Sequence, residues 1–104
     1  MNEISPINFY KLSQKAKLAR IIDVRDIKEF EEYHINNSTN IPLALLCDKP
    51  TLYLNKRFKY YIICKNGSKS KIASEHLYSL GYNVINVIGG LNSMVESNLV
   101  SYYY

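Results

Sequence analysis

An apolar run from Tyr60 to Ile63 ends at a cysteine, and the short polar loop that follows leads into a helical pattern. The run carries aromatic and β-branched side chains on both faces, as expected of a central parallel strand covered by helices on either side. Cys64 therefore falls at the carboxyl end of a buried strand, immediately before a helix. In open α/β sheets ligands bind at this edge, and the unpaired N–H groups of the helix start favour an anion there.

The loop after Cys64 has the composition of an anion-binding turn. Gly67 permits a left-handed backbone, while Lys65 and Lys69 add positive charge and Ser68 adds a hydroxyl. Nearby cations and a helix N-terminus stabilise a thiolate relative to the neutral thiol. We therefore interpret Cys64 as a nucleophile inside an anion-binding loop. The alternative is a small buried core residue, the usual role of a free cysteine, but that role does not explain a polar loop with two lysines.

Strand-like and helix-like patterns alternate along the rest of the chain. Strands are predicted at Ile4, at residues 20–25, just before Pro42, and at residues 60–63 and 83–87, and helices at residues 6–17, 27–33, 43–46, 70–80 and 91–99, with a further turn near residues 52–55. This alternation implies an α/β fold with a mainly parallel central sheet flanked by helices on both faces. We expect one domain that occupies residues 1–104.

Helix ends and helix faces give more specific predictions. Ser5 and Pro6 are the residue types preferred at an N-cap and at the first helical position. Asp26 and Glu29 have the spacing of a capping box, and Gly81 stands where a glycine commonly ends a helix. The helix after the cysteine loop is predicted to have one apolar side, formed by Ile72, Ala73, His76, Leu77 and Leu80.

Length and composition limit the possible classes of protein. A chain of 104 residues has room for one hydrophobic core, and no stretch approaches the ~20 apolar residues of a membrane span. The first residues lack the basic and apolar segments of a secretory signal. Two cysteines, Cys47 and Cys64, without the spacing of a zinc site indicate a reducing compartment. We expect a cytoplasmic protein.

The net charge of +4 comes from lysines distributed over the chain. Solvated helix faces explain many of these lysines. No nucleic-acid-binding motif accompanies them, so neither nucleic acid nor a membrane is the expected partner.

Four segments resemble those of rhodanese-like sulfurtransferases in residue type, order and spacing. They are residues 21–25 with Glu29 and Phe30, His34 and Ile35 with residues 40–42, residues 62–70, and Gly81 and Tyr82 with Gly89 and Gly90. Over nearly its full length the chain therefore resembles a single-domain rhodanese. The resemblance implies that residues 64–69 form the active-site loop, that Cys64 carries sulfane sulfur as a persulfide and that the loop amides hold the anionic donor. It also implies that Asp23 and Arg25 lie near the active-site end of their strand.

The sequence departs from the family pattern at several positions. Asn36 and Asn37 replace the usual Pro-Gly pair, Tyr33 replaces a glycine and Met94 replaces a tryptophan, all of which concern turns and packing. Lys69 stands where arginine is common, and lysine offers a point charge and not a bidentate fork. We expect donor recognition to be weaker or shifted.

The chain is predicted to be a two-step sulfurtransferase that takes sulfur from thiosulfate or another small anionic donor and passes it to a small-molecule or protein acceptor. The predicted substrate-binding residues around the catalytic Cys64 are Lys65, Asn66, Gly67, Ser68, Lys69 and Arg25. Arg25 has an alternative role in an ion pair with Glu29 or Asp26. We expect no cofactor and no metal, and structural roles for both histidines, His34 and His76.

Three other functions remain open. A cysteine phosphatase or arsenate reductase needs an arginine fork at the position of Ser70, which neither Lys69 nor Lys71 supplies. A regulatory or interaction module keeps the fold without the activity, and a redox sensor oxidises Cys64 reversibly with Cys47 as a resolving partner. The sequence encodes no oligomeric state that we can read, and it assigns no function to the terminal tyrosines, residues 102–104.

Overall fold

Strands and helices alternate along the chain in the computed structural model, which describes residues 2–15 and 19–97 and the backbone of Tyr102–Tyr103. The strands are β1 (Asn2–Ile4), β2 (Arg20–Asp23), β3 (His34–Ile35), β4 (Ser38–Asn40), β5 (Lys59–Ile63), β6 (Asn83–Val87) and β7 (Tyr102–Tyr103). The α-helices are α1 (Pro6–Lys15), α2 (Ile27–Glu32), α3 (Leu43–Asp48), α4 (Ser68–Ser79) and α5 (Gly90–Glu96), and a 3-10 turn spans Pro50–Leu52.

Within the described residues, five strands form a parallel sheet in the order β1-β6-β5-β2-β4. The strand that precedes Cys64, β5, is therefore central, as its apolar sequence predicts. β1 pairs with β6 at one edge, which places Glu3 opposite Asn86. The carboxyl ends of β2, β5 and β6 meet at one end of the sheet, and the loop after Cys64 lies there.

Both faces of the sheet are covered. Tyr60 and Ile62 of β5 pack with Leu77 of α4 on one face, and Tyr61 and Ile63 pack on the other face with α1 and α5. Alternate side chains of a strand point to opposite faces, so a strand that is apolar at every position needs helices on both sides. The expected α/β architecture is confirmed.

The hydroxyl of Ser5 accepts a hydrogen bond from the backbone N–H of Asn8, at 3.3 Å, as expected of an N-cap. The predicted capping box is wrong, because Asp26 occupies the N-cap position of α2 without a side-chain hydrogen bond to the helix. Gly81 follows α4 with φ +92°, and the N–H of Tyr82 bonds back to the carbonyl of Leu77, which confirms the glycine helix end.

The buried side of α4 differs from the prediction. Ala73 and Leu77 are buried, but Ile72, Leu80 and His76 are exposed. The buried stripe instead consists of Ser70, Ala73, Ser74 and Leu77, and the first three of these side chains are small. The helix starts at Ser68, and Ser70 of its first turn is fully buried, with its hydroxyl 3.3 Å from Cys64 Sγ.

Two predicted helix ends fall outside the described residues. The first helix was expected to reach Lys17 and is described to Lys15, and the last was expected to reach Leu99 and is described to Glu96. A short antiparallel pair was not predicted: β3 pairs with β7, opposing His34 to Tyr103 and Ile35 to Tyr102. Among the described helices, none has the length and apolar character needed to cross a membrane.

Candidate active site

The sulfur of Cys64 lies inside the turn that connects β5 to α4. Gly67 adopts φ +93°, a left-handed conformation that glycine tolerates best. This turn directs the backbone N–H of Gly67 at Cys64 Sγ, at 3.1 Å, and the N–H of Ser70 approaches the same atom at 3.3 Å. Two amide donors at the start of a helix therefore face the sulfur, an arrangement that stabilises negative charge on it.

The start of α5 holds the other side of this loop. The N–H of Leu91 donates to the carbonyl oxygen of Cys64 at 2.9 Å, and the N–H of Asn92 donates to that of Lys65 at 2.8 Å. Gly90 lies so close that a Cβ there would collide with the Cys64 carbonyl oxygen and approach the Lys65 carbonyl group to 2.9 Å. Gly90 is thus required for contact between the two backbones, a role that the sequence indicated only as a tight turn.

A cavity of about 200 Å³ opens above the sulfur. Its lining contains the predicted residues Arg25, Cys64, Lys65, Asn66, Ser68 and Lys69, together with Glu29. The predicted Gly67 is buried beneath them and contributes its N–H. Cys64 is only 1% exposed, so the sulfur lies on the floor of the cavity and not at its mouth. Only a small ligand or an extended group can reach it.

The polar groups of the loop have distinct surroundings. Lys65 and Lys69 are exposed, and neither forms an ion pair within the part of the chain that the structure describes. Asn66 accepts hydrogen bonds through Oδ1 from the backbone N–H and the hydroxyl of Ser68. Asn66 and Ser68 therefore shape the first turn of α4, while the two lysines are available to an anion in the cavity.

Arg25 is nearly fully buried, with an exposed fraction of 2%. Its Nε and Nη2 bind the carboxylate of Asp23 at 3.0 and 2.8 Å, and Nη2 also donates to the carbonyl of Tyr33 at 2.7 Å. The expected ion pair with Glu29 or Asp26 is therefore wrong. Asp23 and Arg25 are two residues apart in extended chain, so their side chains lie on the same side. The guanidinium still lines the cavity.

Neither histidine lines the cavity in the described structure. The ring of His34 stacks on Phe30 at 3.8 Å, and its Nδ1 lies 2.8 Å from the Phe30 carbonyl oxygen. His76 is exposed, with Nε2 3.2 Å from the carbonyl oxygen of Cys47. The ring of His34 thus connects β3 to α2, and the ring of His76 connects α4 to α3.

Asn86 is the residue that sequence reasoning missed. It lies on β6, is 2% exposed, and its Oδ1 is 2.6 Å from the hydroxyl of Ser70. Ser70 is fully buried, and its Oγ lies 3.3 Å from Cys64 Sγ. An asparagine within an otherwise apolar buried strand was the available signal.

The other cysteine, Cys47, is partly buried against the core on the α3 side of the sheet. Burial raises the pKa of its thiol. Both cysteines are free. Among the described residues, no group of three or more His, Cys, Asp or Glu side chains is arranged to hold a metal ion.

The fold and the cysteine loop define a rhodanese-like protein. The chain belongs to the rhodanese-like domain family, whose pattern matches residues 5–97. A rhodanese-related protein from Thermoplasma volcanium superposes with a TM-score of 0.86 at 32% identity, covering 99% of this chain and 98% of that one. A rhodanese-like domain protein from Staphylococcus aureus superposes with a TM-score of 0.81 at 29% identity, covering 89% and 90% of the two chains.

Curated relatives are longer than this chain. Over 72 residues it is 43% identical to the adenylyltransferase and sulfurtransferase uba4 of Ogataea parapolymorpha, covering 68% of this chain and 18% of that protein. Over 90 residues it is 36% identical to the putative sulfur carrier protein YrkF of Bacillus subtilis, covering 86% of this chain and 48% of that protein. The chain thus spans about half or less of these two relatives, and its similarity is to sulfurtransferase and sulfur-carrier proteins.

Proposed function

We propose that this protein moves sulfane sulfur from a small anionic donor, thiosulfate or a persulfide, to a nucleophilic acceptor through a persulfide on Cys64. The observation that carries the proposal is the position of Cys64 Sγ, on the floor of a small cavity with the N–H groups of Gly67 and Ser70 directed at it. Membership of the rhodanese-like family and similarity to sulfurtransferases support it.

In the first step the Cys64 thiolate attacks the outer sulfur of thiosulfate. A bond forms between Sγ and that sulfur, the bond between the two donor sulfurs breaks, and its electron pair leaves with sulfite. The total charge is unchanged, since a thiolate and a dianion become a persulfide anion and a sulfite dianion. With a persulfide donor the same attack releases a thiolate. The two N–H groups stabilise the anionic sulfur before and after the step.

In the second step a nucleophilic acceptor attacks the terminal sulfur of the persulfide. The sulfur–sulfur bond breaks, and its electron pair returns to Cys64 Sγ as a thiolate. The acceptor is a small molecule, such as cyanide in an assay, or an extended group of a protein that enters the cavity. Splitting one transfer into two displacements is the advantage of covalent catalysis. Neither displacement requires a metal or an organic cofactor.

Lys65 and Lys69 attract the anionic donor and stabilise the departing anion, because both are exposed at the cavity and free of described ion pairs. Arg25 adds a fixed positive charge to the cavity wall, oriented by Asp23 and by the Tyr33 carbonyl. Asn66 and Ser68 act by shaping the loop. Because a thiolate and a persulfide persist only where disulfide formation is suppressed, we place this chemistry in a reducing compartment such as the cytoplasm.

The proposal is tested by incubating the protein with thiosulfate and cyanide and measuring thiocyanate and sulfite. We expect turnover that is abolished in Cys64→Ser and retained in Cys47→Ser, the matched control at the other cysteine. Mass spectrometry after exposure to thiosulfate alone should find one added sulfur on the peptide that contains Cys64. A chain that turns over neither thiosulfate nor a low-molecular-weight persulfide, and acquires no sulfur at Cys64, would instead be a non-enzymatic module.

A phosphatase function is disfavoured by the surroundings of residue 70. Ser70 is fully buried, and Arg25, the buried guanidinium of the cavity, is already bound to Asp23. We expect hydrolysis of p-nitrophenyl phosphate to be no faster than in Cys64→Ser. Hydrolysis that depends on Cys64 would favour the phosphatase assignment.

A further inference from the structure

A chain of hydrogen bonds connects the buried sulfur of Cys64 to an exposed glutamate at the edge of the sheet. Cys64 Sγ lies 3.3 Å from Ser70 Oγ, Ser70 Oγ lies 2.6 Å from Asn86 Oδ1, and Asn86 Nδ2 lies 3.1 Å from Glu3 Oε2. Ser70 is 0% exposed and Asn86 is 2% exposed. Cys64 directly follows β5, and the other three residues lie on α4, β6 and β1, so the sheet topology itself brings the four together.

The chemistry of each group fixes the direction of these bonds. A carboxylate only accepts, so Glu3 requires the NH₂ group of Asn86 and leaves Oδ1 facing Ser70. That oxygen also only accepts, and at 2.6 Å it is nearer to Ser70 Oγ than the Gly67 carbonyl oxygen at 3.2 Å, so the single proton of the Ser70 hydroxyl is donated to it. The hydroxyl is then not a donor to Cys64, and Ser70 Oγ presents a lone pair to the sulfur. A neutral thiol can donate to that lone pair, whereas a thiolate cannot.

We propose that Glu3 and Asn86 are positioning residues that hold the Ser70 hydroxyl turned away from Cys64 and thereby favour the neutral thiol in the resting protein. The inference deepens the proposed function, since Cys64 is the nucleophile on which the two residues act. Rotation of the hydroxyl towards the sulfur adds a third donor to the two N–H groups of Gly67 and Ser70 and favours the thiolate. The network therefore favours the thiol, whereas the two backbone N–H groups favour the thiolate. When the Ser70 hydroxyl turns from Asn86 to the sulfur, Cys64 becomes the more reactive thiolate.

Other charged groups act on the same sulfur and do not belong to this network. Lys65 and Lys69 flank it on the loop and α4, and Glu29 faces the cavity from α2. Arg25 faces the cavity from the segment just after β2, paired with Asp23. None of these groups is changed in the variants below. A difference between the variants therefore reports the hydroxyl and its two positioning residues.

The test measures the pH dependence of iodoacetamide alkylation of Cys64 in a Cys47→Ala background, by mass spectrometry. Asn86→Leu removes the nearer acceptor of the Ser70 hydroxyl and leaves the Gly67 carbonyl oxygen, at 3.2 Å. A thiolate accepts a hydrogen bond more strongly than a carbonyl oxygen does, so the hydroxyl should turn to the sulfur. The midpoint should then fall by about half a pH unit or more, equal to about threefold more thiolate at pH values below the midpoint. Asn86→Asp keeps an acceptor towards Ser70, and its midpoint should not fall. Asn83→Leu, an exposed asparagine of the same strand, is the matched control and should leave the midpoint unchanged.

The same effect should disappear without the hydroxyl. In a Ser70→Ala background, Asn86→Leu should no longer move the midpoint, which is the double-mutant criterion for action through Ser70. Glu3→Gln, a surface substitution that still permits folding if Asn86→Leu does not, lets the Asn86 amide turn around and should move the midpoint in the same direction. Glu75→Gln, at an exposed glutamate of α4, is the matched control for Glu3→Gln and should leave the midpoint unchanged.

Two results would overturn the proposal: a folded Asn86→Leu or Glu3→Gln variant whose midpoint stays or rises, or an equal shift for Asn86→Leu with and without Ser70. The readout does not require sulfur transfer. A protein that alkylates as expected but fails to turn over thiosulfate or a persulfide contradicts the proposed function and leaves this inference in place.

Discussion

The backbone N–H of Leu91 donates a hydrogen bond of 2.9 Å to the carbonyl oxygen of Cys64. The helix that begins at Gly90 therefore holds the backbone of Cys64 itself, without an intervening side chain. This contact is possible only because Gly90 has no Cβ. The position of the sulfur depends on a glycine that lies far from it in sequence.

Gly90→Ala should damage the site more than it damages the fold. The added Cβ would collide with the Cys64 carbonyl oxygen, and a displacement of about 1 Å at a reacting group costs on the order of a hundredfold in rate. We expect thiocyanate formation to fall at least about tenfold, together with a loss of about 1–2 kcal/mol of stability from the positive φ.

Gly81→Ala is the control for Gly90→Ala. Gly81 has φ +92°, but its Cβ would meet only the Lys56 side chain, at 3.5 Å. Gly81→Ala should lose about as much stability as Gly90→Ala but should keep its activity. Equal losses of activity in the two variants would show that strain alone, and not the contact with Cys64, explains the effect.

The two cavity lysines should contribute modestly and separately to donor binding. Both are exposed, and an exposed ionic contact is worth about 0.2–1 kcal/mol, so each of Lys65→Met and Lys69→Met should raise the KM for thiosulfate roughly 1.5- to 5-fold. The effect should shrink as salt is added, because salt screens exposed charges. Lys71→Met removes an exposed lysine of α4 that does not line the cavity and should leave KM unchanged. An equal rise in KM for this variant would show that the lysines act only through the overall positive charge of the protein.

Asp23→Ala should destabilise the protein strongly. It leaves the guanidinium of Arg25 buried without its carboxylate partner, which costs about 3–5 kcal/mol for a buried ion pair. Urea unfolding followed by circular dichroism measures the change. Glu31→Ala removes an exposed carboxylate from nearby α2 and should change the free energy of unfolding little. A small effect of Asp23→Ala would mean that Arg25 is held mainly by the Tyr33 carbonyl.

Cys47 should react more slowly than an unfolded cysteine near neutral pH. Burial raises the pKa of its thiol, and the thiolate is the reactive form. In Cys64→Ser, alkylation of Cys47 should therefore be slower in native protein than in urea up to about pH 9 and should approach the unfolded rate at higher pH. A rate that remains low at every pH would indicate blocked access instead. Because the pKa of the Cys47 thiol is higher in the folded protein, this thiol contributes stability at pH values below its unfolded pKa. The contribution is lost as the pH rises through the folded pKa.

The central part of the fold follows from local sequence. The apolar β5 run is central, Gly81 ends α4 and Ser5 caps α1. Each of these features depends on side-chain types within one short segment of the chain. The pair formed by β3 and β7 does not follow in this way. Its two-residue strands are too short for any periodic pattern, and their pairing depends on distant chain segments.

The loop that follows Cys64 could be predicted from the sequence, but the hydrogen-bond network behind the sulfur could not. Cys64, Gly67 and the two lysines are adjacent in sequence, so their meeting needs only a turn. The partner of Arg25 was missed because extended chain places Asp23, and not the helical Glu29, beside it. Asn86 and Glu3 are connected to Cys64 only through the order of strands in the sheet, which a single sequence does not give.

The edge strand β1 has a practical consequence for anyone who trims or tags this chain. The family pattern begins at residue 5, so a fragment cut to that boundary would keep every residue of the cavity lining. It would nevertheless remove Glu3, the hydrogen-bond partner of the buried Asn86 amide. Under the role that we propose for Glu3, a protein that begins at residue 5 and one that includes β1 differ as reagents for thiol chemistry, even though they share the same pocket.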